Sequence, residues 1–247
     1  MKIPVIFFIA ILSFKSLQAQ KIIGSAMTDG QAVTDDEKKA KFLVVLEQVD
    51  DTTFERLDYN FAGPMISMAT FRDKDLKTLS GNYADYNTDG NLVTAGQYAD
   101  NKKDGVWYLY NDTLKAITKY VFHLDSLIAT IDLDSLDKES KKIKRDTTGE
   151  VEAVYKGGGR KFQKEIASNF KVPDRTASLK KGGTVRIRFV IDTNGKPKDI
   201  AVVHSVEFAF DREAMRVIGL MDDWIPASVK GRKVNAYRLQ PITINLN

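Results

Sequence analysis

The stretch TVRIRFVIDTNGKPKDIAVVHS, residues 184–205, decides the fold of the C-terminal part of this chain. In its first part, apolar residues alternate with Arg186 and Arg188, which is the pattern of a half-buried strand. The Asn-Gly pair at 194–195 is typical of a tight hairpin turn, and residues 199–205 return as a second apolar strand. Residues 184–205 are therefore predicted to form an antiparallel hairpin.

Two amphipathic helices are expected to cover this hairpin. Phe162, Ile166 and Phe170 recur every four residues, as on one face of a helix. A second apolar face spans residues 211–221, where Asp211 is the expected N-cap. Both patterns together with the hairpin predict helices packed on one face of a small antiparallel sheet.

A last strand is predicted within VNAYRLQPITINLN, residues 234–247. Its apolar positions change phase from Tyr237 and Leu239 to Ile242 and Ile244, with Pro241 at the change, which indicates a bulge. Because proline donates no hydrogen bond to a neighbouring strand, this strand is expected at an edge of the sheet.

Three segments of this region resemble the TonB C-terminal domain family in their order and spacing. They are FVIDTNGKPKDIAVVHSV, DREAMRVIGLMDDWIPASVKGRKV and LQPITINLN, and the resemblance covers about residues 155–247. It implies a periplasmic module of Gram-negative envelopes that binds a short extended peptide of an outer-membrane receptor by strand addition. The implied peptide-binding edge consists of Tyr237, Arg238, Leu239, Gln240, Ile242 and Ile244, and the implied structural turn of Trp224, Pro226 and Gly231.

The preceding half resembles MORN-type repeats over about residues 80–122. SGNYADYNTDGNLVTAGQYADNKKDGVWYLYND, residues 80–112, repeats Gly-x-Tyr, Asp-Gly and Gly-x-Trp-x-x-Tyr units. Such units are expected to form short antiparallel strands with glycine turns and stacked aromatic rings. The glycines concerned are Gly81, Gly90, Gly96 and Gly105, and the aromatic residues are Tyr83, Tyr98, Trp107 and Tyr110. KFLVVLEQV, residues 41–49, predicts a further strand.

These patterns predict an α+β fold in which a β-rich region precedes a TonB-like domain. The β-rich region is expected over residues 20–136 and the TonB-like domain, with a three-stranded antiparallel sheet, over residues 160–247. Residues 137–159 are rich in charge and end in three glycines, which is typical of a linker.

The N-terminus predicts export. Lys2 precedes an apolar run from Ile3 to Leu12, and small and polar residues surround Ala19, so residues 1–19 are expected to be a signal peptide. A retained short inner-membrane anchor is the alternative. The chain has no cysteine, which excludes disulfides and a lipid-anchored cysteine. The expected location is the periplasm.

Charge leaves several partners open. From residue 156 onward there are 18 lysines and arginines against 9 acidic residues, and Arg186 with Arg188 could present a basic face to peptidoglycan. A structural or adaptor protein that binds other envelope proteins, and a homodimer paired through the last strand, are further alternatives. Nucleic acid is not an expected partner, because the chain is predicted to be exported and has no aromatic-rich basic motif.

Catalysis and cofactors are not expected. The only histidines, His123 and His204, are far apart in the sequence, and neither lies in a metal-ligand spacing. The acidic pair in IDLDS, residues 131–135, has no partner base or phosphate-binding glycine loop beside it in the sequence. A binding protein is therefore the expected class, and its coupling to TonB-dependent transport stays open.

Overall fold

The computed structural model describes residues 21–111, 113, 115–133 and 149–246. The predicted signal peptide and residues 137–148 of the predicted linker lie outside this part. Residues 21–132 form one nine-stranded antiparallel sheet in which strands follow each other in chain order, as predicted for a β-rich region. Its strands are β1 (Lys21–Thr28), β2 (Phe42–Asp50), β3 (Thr53–Asn60), β4 (Met65–Phe71), β5 (Leu79–Tyr86), β6 (Leu92–Ala99), β7 (Lys102–Tyr110), β8 (Ala116–His123) and β9 (Ser126–Asp132).

The C-terminal part combines three helices with a main sheet of three strands and two smaller sheets. The main sheet has the order β13-β12-β17 and is antiparallel throughout, which confirms the predicted three-stranded sheet. The elements are β10 (Glu150–Val151), β11 (Val154–Tyr155), α1 (Gly158–Asn169), α2 (Asp174–Ser178), β12 (Gly183–Ile191), β13 (Pro197–His204), α3 (Phe208–Leu220), β14 (Trp224–Ile225), β15 (Ala227–Val229), β16 (Arg232–Val234) and β17 (Ala236–Ile244).

The C-terminal core lies between the main sheet and helices α1 and α3. Alternate residues of β12, from Val185 to Ile191, are fully buried in it, together with Phe162 and Ile166 of α1. Trp224 packs there against Phe162, with ring centroids 5.0 Å apart. The alternating and four-residue periods in the sequence therefore place these side chains in one apolar core.

Helix α3 begins earlier than predicted. The sequence suggested Asp211 as the N-cap, but the helix spans Phe208–Leu220 and Glu207 is its N-cap. The Glu207 carboxylate accepts hydrogen bonds from the backbone N–H groups of Ala209, at 3.0 Å, and Phe210, at 2.7 Å. Asp211 lies in the first turn and is completely buried. The prediction failed because Asp is the commoner cap, whereas here a buried Glu supplies the acceptor oxygens.

The predicted bulge at Pro241 is absent, and β17 pairs with β12 in unbroken register from Gly183↔Ile244 to Ile191↔Ala236. The change of apolar phase has another cause. Ile242 and Ile244 belong to the C-terminal core, whereas Tyr237 lies on the opposite face, towards the N-terminal sheet. Both faces of β17 are partly apolar because each faces a different layer of the molecule.

The C-terminal part begins earlier than the predicted boundary at residue 160. Strand β10 pairs with β15, and β11 pairs with β14, so residues 150–155 belong to the C-terminal fold and not to a linker. Ala153 and Tyr155 are members of its buried core. The prediction took the glycine run at 157–159 as the domain edge, but these glycines instead turn the chain from β11 into α1, where Gly157 has a φ of 89°.

The repeat-like segment stacks its aromatic rings as predicted, but most of its glycines do not lie in turns. Tyr83, Tyr98 and Trp107 form mutual ring contacts with centroids 5.2 to 5.8 Å apart. Gly96 lies inside β6 directly beneath Trp107, where an added Cβ would come within 2.1 Å of the indole ring. Gly81 and Gly105 also lie within strands, and Gly90 alone of the four occupies the turn between two strands. Tyr110 packs against Tyr108 and not against that cluster.

The two parts of the chain pack together through one face of each sheet. Val203 of β13 is buried in the N-terminal core, and the ring of Phe208 lies edge-on to Tyr59. The hydroxyl of Tyr86 donates to the backbone oxygen of Val202 at 2.8 Å. The N-terminal sheet therefore packs on the β13 side of the C-terminal part, where it covers part of the sheet face opposite α1 and also contacts α3.

Candidate functional site

Strand β17 forms one edge of the C-terminal sheet. Among the described residues it pairs with β12 alone. The end of the other edge strand, β13, is covered by the turn before β6, because Ser205 N–H donates to the oxygen of Gly90 at 2.8 Å and a bridge joins Asn91 to His204. Gly90 is required at this approach, since a Cβ on it would lie 2.2 Å from the backbone oxygen of Ser205. Within the described part, β17 is thus an edge of the C-terminal sheet that no second strand covers and that can accept a further strand.

Pro241 fixes which backbone groups of β17 point outward. It lies opposite Arg186, and this pair cannot exchange both backbone hydrogen bonds because proline has no N–H. Since residues of an antiparallel strand alternate in direction, the groups that point away from β12 belong to Tyr237, Leu239, Pro241 and Thr243. The outward edge therefore offers the N–H groups of Tyr237, Leu239 and Thr243, interrupted by the proline.

Two of these outward carbonyls are already occupied by neighbouring side chains. The Arg238 guanidinium donates to the oxygen of Tyr237 at 3.2 Å, and the Gln240 amide donates to the oxygen of Pro241 at 2.5 Å. Arg238 also donates to the oxygen of Ala153 at 2.6 Å. These contacts, with the proline, limit unwanted pairing along a long edge. The backbone of Leu239 lies between them, and its side chain is 53% exposed.

The structure separates the six residues predicted for the peptide-binding edge into three pairs. Tyr237 and Leu239 project from the face of β17 that is turned to the N-terminal sheet. Arg238 and Gln240 lie on the face turned to α1, where Gln240 is 3.3 Å from Gln163. Ile242 and Ile244 are buried in the C-terminal core, so their side chains cannot contact a ligand and serve to anchor the strand.

The predicted structural turn closes the C-terminal core. Trp224 is buried and contacts Tyr155, Phe162 and Phe189, while the chain reverses at Gly231, with a φ of 78°, between β15 and β16. Gly195 of the hairpin turn packs directly on the backbone oxygen of Trp224 and lies beside Pro226. The Asn-Gly turn and the Trp-x-Pro segment therefore pack against each other.

Arg186 and Arg188, predicted as a basic face, do not form an open surface. Both are only partly exposed, and the Arg188 guanidinium lies 3.5 Å from the Tyr110 hydroxyl of the N-terminal sheet. Arg186 lies opposite His204. Burial lowers the pKa of His204, and the positive charge of Arg186 lowers it further. The arginines alternate outward, as the sequence predicts, but the other sheet partly covers this outward side at Arg188.

Buried acidic groups join the two parts of the chain, and the sequence did not reveal them. Asp211 accepts hydrogen bonds from Ser205 Oγ at 2.5 Å and from Tyr59 Oη at 3.2 Å. Burial raises the pKa of Asp211 to about 7, although its hydrogen bonds oppose that change. Arg212 forms an ion pair with Glu47 of β2, which is itself buried.

A second group of contacts surrounds Glu207. Arg175 of α2 lies 3.4 Å from its carboxylate and donates a hydrogen bond to the backbone oxygen of Phe61 in the N-terminal part. Thr176 donates to the same carboxylate. The only sequence signal is the four-residue spacing of Glu207 and Asp211 at the start of α3, which does not by itself indicate burial.

Residues 168–246 match the family model for the Gram-negative bacterial TonB protein C-terminal. This match confirms the resemblance seen in the three sequence segments, and proteins of that family act in the periplasm of Gram-negative bacteria. The nine-stranded meander upstream is compatible with a MORN-like repeat. Neither a curated protein nor a solved structure matches this chain.

Neither a helix able to cross a membrane nor a metal-binding cluster occurs among the described residues. Of the helices in the described ranges, none combines the length and apolar character needed to cross a bilayer. In the same ranges, no group of three or more His, Cys, Asp or Glu residues could hold a metal ion.

Proposed function

We propose that this chain is an exported TonB-like protein that binds a short extended peptide of an outer-membrane receptor by adding it as a strand to β17. The supporting observation is the position of β17 at an uncovered edge of a domain that matches the TonB C-terminal family. Backbone hydrogen bonds would supply much of the affinity in such a complex, and alternate side chains would supply specificity. The protein would act in the periplasm, in association with TonB-dependent transport.

The proposed contact centres on Leu239. Its outward N–H and C=O can form the paired hydrogen bonds of an antiparallel strand. Arg238 and Gln240 would exchange their present bonds to the edge carbonyls for contacts with the incoming backbone. The buried Ile242 and Ile244 hold the strand in place while this exchange occurs.

The role is one of binding and not of catalysis. Three buried carboxylates are engaged in joining the two parts of the chain: Asp211 with Tyr59, Glu47 with Arg212, and Glu207 with Arg175. These carboxylates lie at the interface between the two parts of the chain. Strand β17 forms the edge of the C-terminal sheet opposite to β13.

The proposal is tested by titrating the isotope-labelled chain, from residue 20 onward, with synthetic peptides from co-encoded outer-membrane receptors. Binding should shift the amide resonances of Tyr237, Leu239 and Thr243. Leu239→Pro removes an outward N–H and should abolish binding, whereas Leu239→Val keeps it and should bind normally. A titration in which no receptor peptide shifts these resonances would refute the proposal.

A structural role through self-association is the second candidate, since the same edge could pair with its copy in a homodimer. Size-exclusion chromatography with cross-linking distinguishes the two functions. A monomer that binds peptide supports the receptor-binding role. A stable dimer joined through β17, in which Leu239→Pro restores the monomer, supports the structural role instead.

A further inference from the structure

Arg238 is the one charged residue of β17, and its guanidinium lies at the outward side of the strand. It donates to the backbone oxygen of Tyr237 at 3.2 Å and to that of Ala153 at 2.6 Å. Because the Tyr237 oxygen points away from β12, the guanidinium lies beside the edge where a further strand would be added. The side chain is 28% exposed, so water screens its charge only in part.

A strand that pairs with β17 in the antiparallel direction would place one of its side chains beside Arg238. The outward hydrogen-bonding groups belong to Tyr237 and Leu239, so Arg238 lies at a position where the two backbones would not bond to each other. At such positions the Cα atoms of opposite residues are only about 4.5 Å apart. Opposite residues also project from the same face of the sheet. The side chain opposite Arg238 would therefore be within reach of the guanidinium.

The added strand would also release part of this guanidinium. An N–H of that strand would take the oxygen of Tyr237, which now accepts from Nη1 of Arg238. Nη2 would keep its bond to Ala153, a residue of the C-terminal core, and would hold the group in place. Glu152 lies 3.4 Å from Nη2, but its side chain is 90% exposed and gives a weak ion pair. The released donor can then bind an acidic side chain of the peptide.

Gln240 gives the neighbouring position a different character. It lies on the same face of β17, where its amide donates to the oxygen of Pro241 at 2.5 Å and its side-chain oxygen accepts from Gln163 at 3.3 Å. The Pro241 oxygen also points outward, so an added strand would release this amide as well. The side chain opposite Gln240 would therefore meet uncharged amides. In an antiparallel strand, this residue comes two positions before the one opposite Arg238.

We infer that Arg238 determines the specificity of the β17 edge, and that this edge selects an extended peptide with Asp or Glu opposite Arg238. This inference rests on the proposed function of β17. The overall charge agrees with it, because residues 156–247 contain 18 lysines and arginines against 9 acidic residues and attract an acidic segment over a longer range. The ligand class is an acidic peptide, with an uncharged polar residue two positions before the acid.

The inference is tested with the chain from residue 20 and two synthetic peptides of alternating threonine and valine that differ only in a central glutamate or glutamine. The glutamate peptide should bind about tenfold more tightly, as expected for one charge-assisted hydrogen bond. The preference should weaken at high salt. Resonances of β17 report binding, and the glutamate itself should select the register in which it lies opposite Arg238.

Three substitutions of Arg238 examine its role. Arg238→Gln should remove the preference, and Arg238→Lys, which keeps the charge, should retain part of it. Arg238→Glu should reverse it, so that a peptide with a central lysine binds more tightly than the glutamate peptide. Circular dichroism would verify that each variant is folded. The reversal distinguishes a direct contact from a loss of structure, because a damaged edge would bind every peptide more weakly.

Lys39→Gln provides the matched control. It removes one positive charge from a side chain of the N-terminal part that is 73% exposed, so the preference should remain. Equal binding of both peptides, or a preference that survives Arg238→Gln or disappears in Lys39→Gln, would overturn the inference and leave the proposed function standing. If neither peptide shifts the resonances of β17, the inference falls, and the titration with receptor peptides decides whether the proposed function falls with it.

Discussion

The hydroxyl of Tyr59 donates a hydrogen bond to Oδ2 of Asp211, 3.2 Å away, across the interface between the N-terminal sheet and helix α3. Both groups are buried, and 152 positions of the sequence separate them. Ser205 links the same carboxylate to the backbone N–H of Met65, which donates to Ser205 Oγ at 2.8 Å. Because a buried polar group is costly without a partner, these bonds favour a single arrangement of the two parts.

Removal of the Tyr59 hydroxyl should weaken this interface. Tyr59→Phe deletes one buried hydrogen bond and leaves Asp211 with one donor fewer, so the free energy of unfolding should fall by about 1 to 2 kcal/mol. Urea unfolding of both proteins measures the difference. Tyr83→Phe is the control, because the Tyr83 hydroxyl bonds to Asp85 at a partly exposed position where water can replace it. Equal effects of both substitutions would contradict the structural role of Tyr59.

The stability should fall as the pH rises from about 5 to about 7. Burial raises the pKa of Asp211 from 3.8 to about 7 and that of Glu55 from 4.5 to about 7. In this window the unfolded chain has already lost these protons, whereas the folded protein still holds them, so proton release favours unfolding. Above pH 7 the folded groups also ionise and the dependence should flatten.

Urea unfolding at several pH values measures this slope. Asp211→Asn with Glu55→Gln should flatten it, because neither amide titrates. Asp29→Asn should leave it unchanged, because backbone hydrogen bonds from Ala32 and Gln31 lower the pKa of that exposed carboxyl. A slope that persists in the double variant would show that other groups control the pH dependence.

Gly96 should be essential to the repeat-like part of the N-terminal sheet. Gly96→Ala would place a methyl group within 2.1 Å of the Trp107 ring and should lower the free energy of unfolding by about 2 to 3 kcal/mol. Near-ultraviolet circular dichroism would detect the displaced tryptophan. Gly24→Ala in β1 is the control, because no atom lies within 4 Å of the added carbon, and its effect should stay within about 0.5 kcal/mol.

Pro241 should limit the affinity of the β17 edge. Pro241→Val adds an N–H that points away from β12, so a bound strand gains one hydrogen bond and the affinity for peptide should rise several-fold. Isothermal titration calorimetry with the same receptor peptide measures the change. Unchanged or weaker binding to a folded, monomeric Pro241→Val protein would show that the peptide does not pair with this part of the edge.

The sequence predicts those elements whose pattern has a single explanation. The hairpin of residues 184–205 follows from strict alternation and an Asn-Gly turn, and α1 follows from a four-residue apolar period. The TonB-like assignment of the C-terminal part follows from segments that retain the order of that family. In each case local pattern and tertiary packing agree.

The rest depends on contacts between distant parts of the chain. Arg186 and Arg188 alternate as on a solvated face, but a second sheet partly covers that face at Arg188, and nothing near them in sequence indicates it. The same N-terminal sheet explains why β17 carries an apolar side chain on each face, with Ile242 in the C-terminal core and Tyr237 on the opposite face. A buried acid such as Asp211 cannot be recognised without its partner Tyr59, which comes from the other half of the protein.

The availability of the β17 edge is tested most directly by amide hydrogen exchange at Leu239, measured in the full chain with and without bound receptor peptide. The Leu239 amide should exchange rapidly in the free protein, much faster than that of Phe189 in the central strand β12, and should become protected on binding. A Leu239 amide that is already protected in the free monomer, or one whose exchange is unchanged by a saturating peptide, would contradict strand addition at this edge.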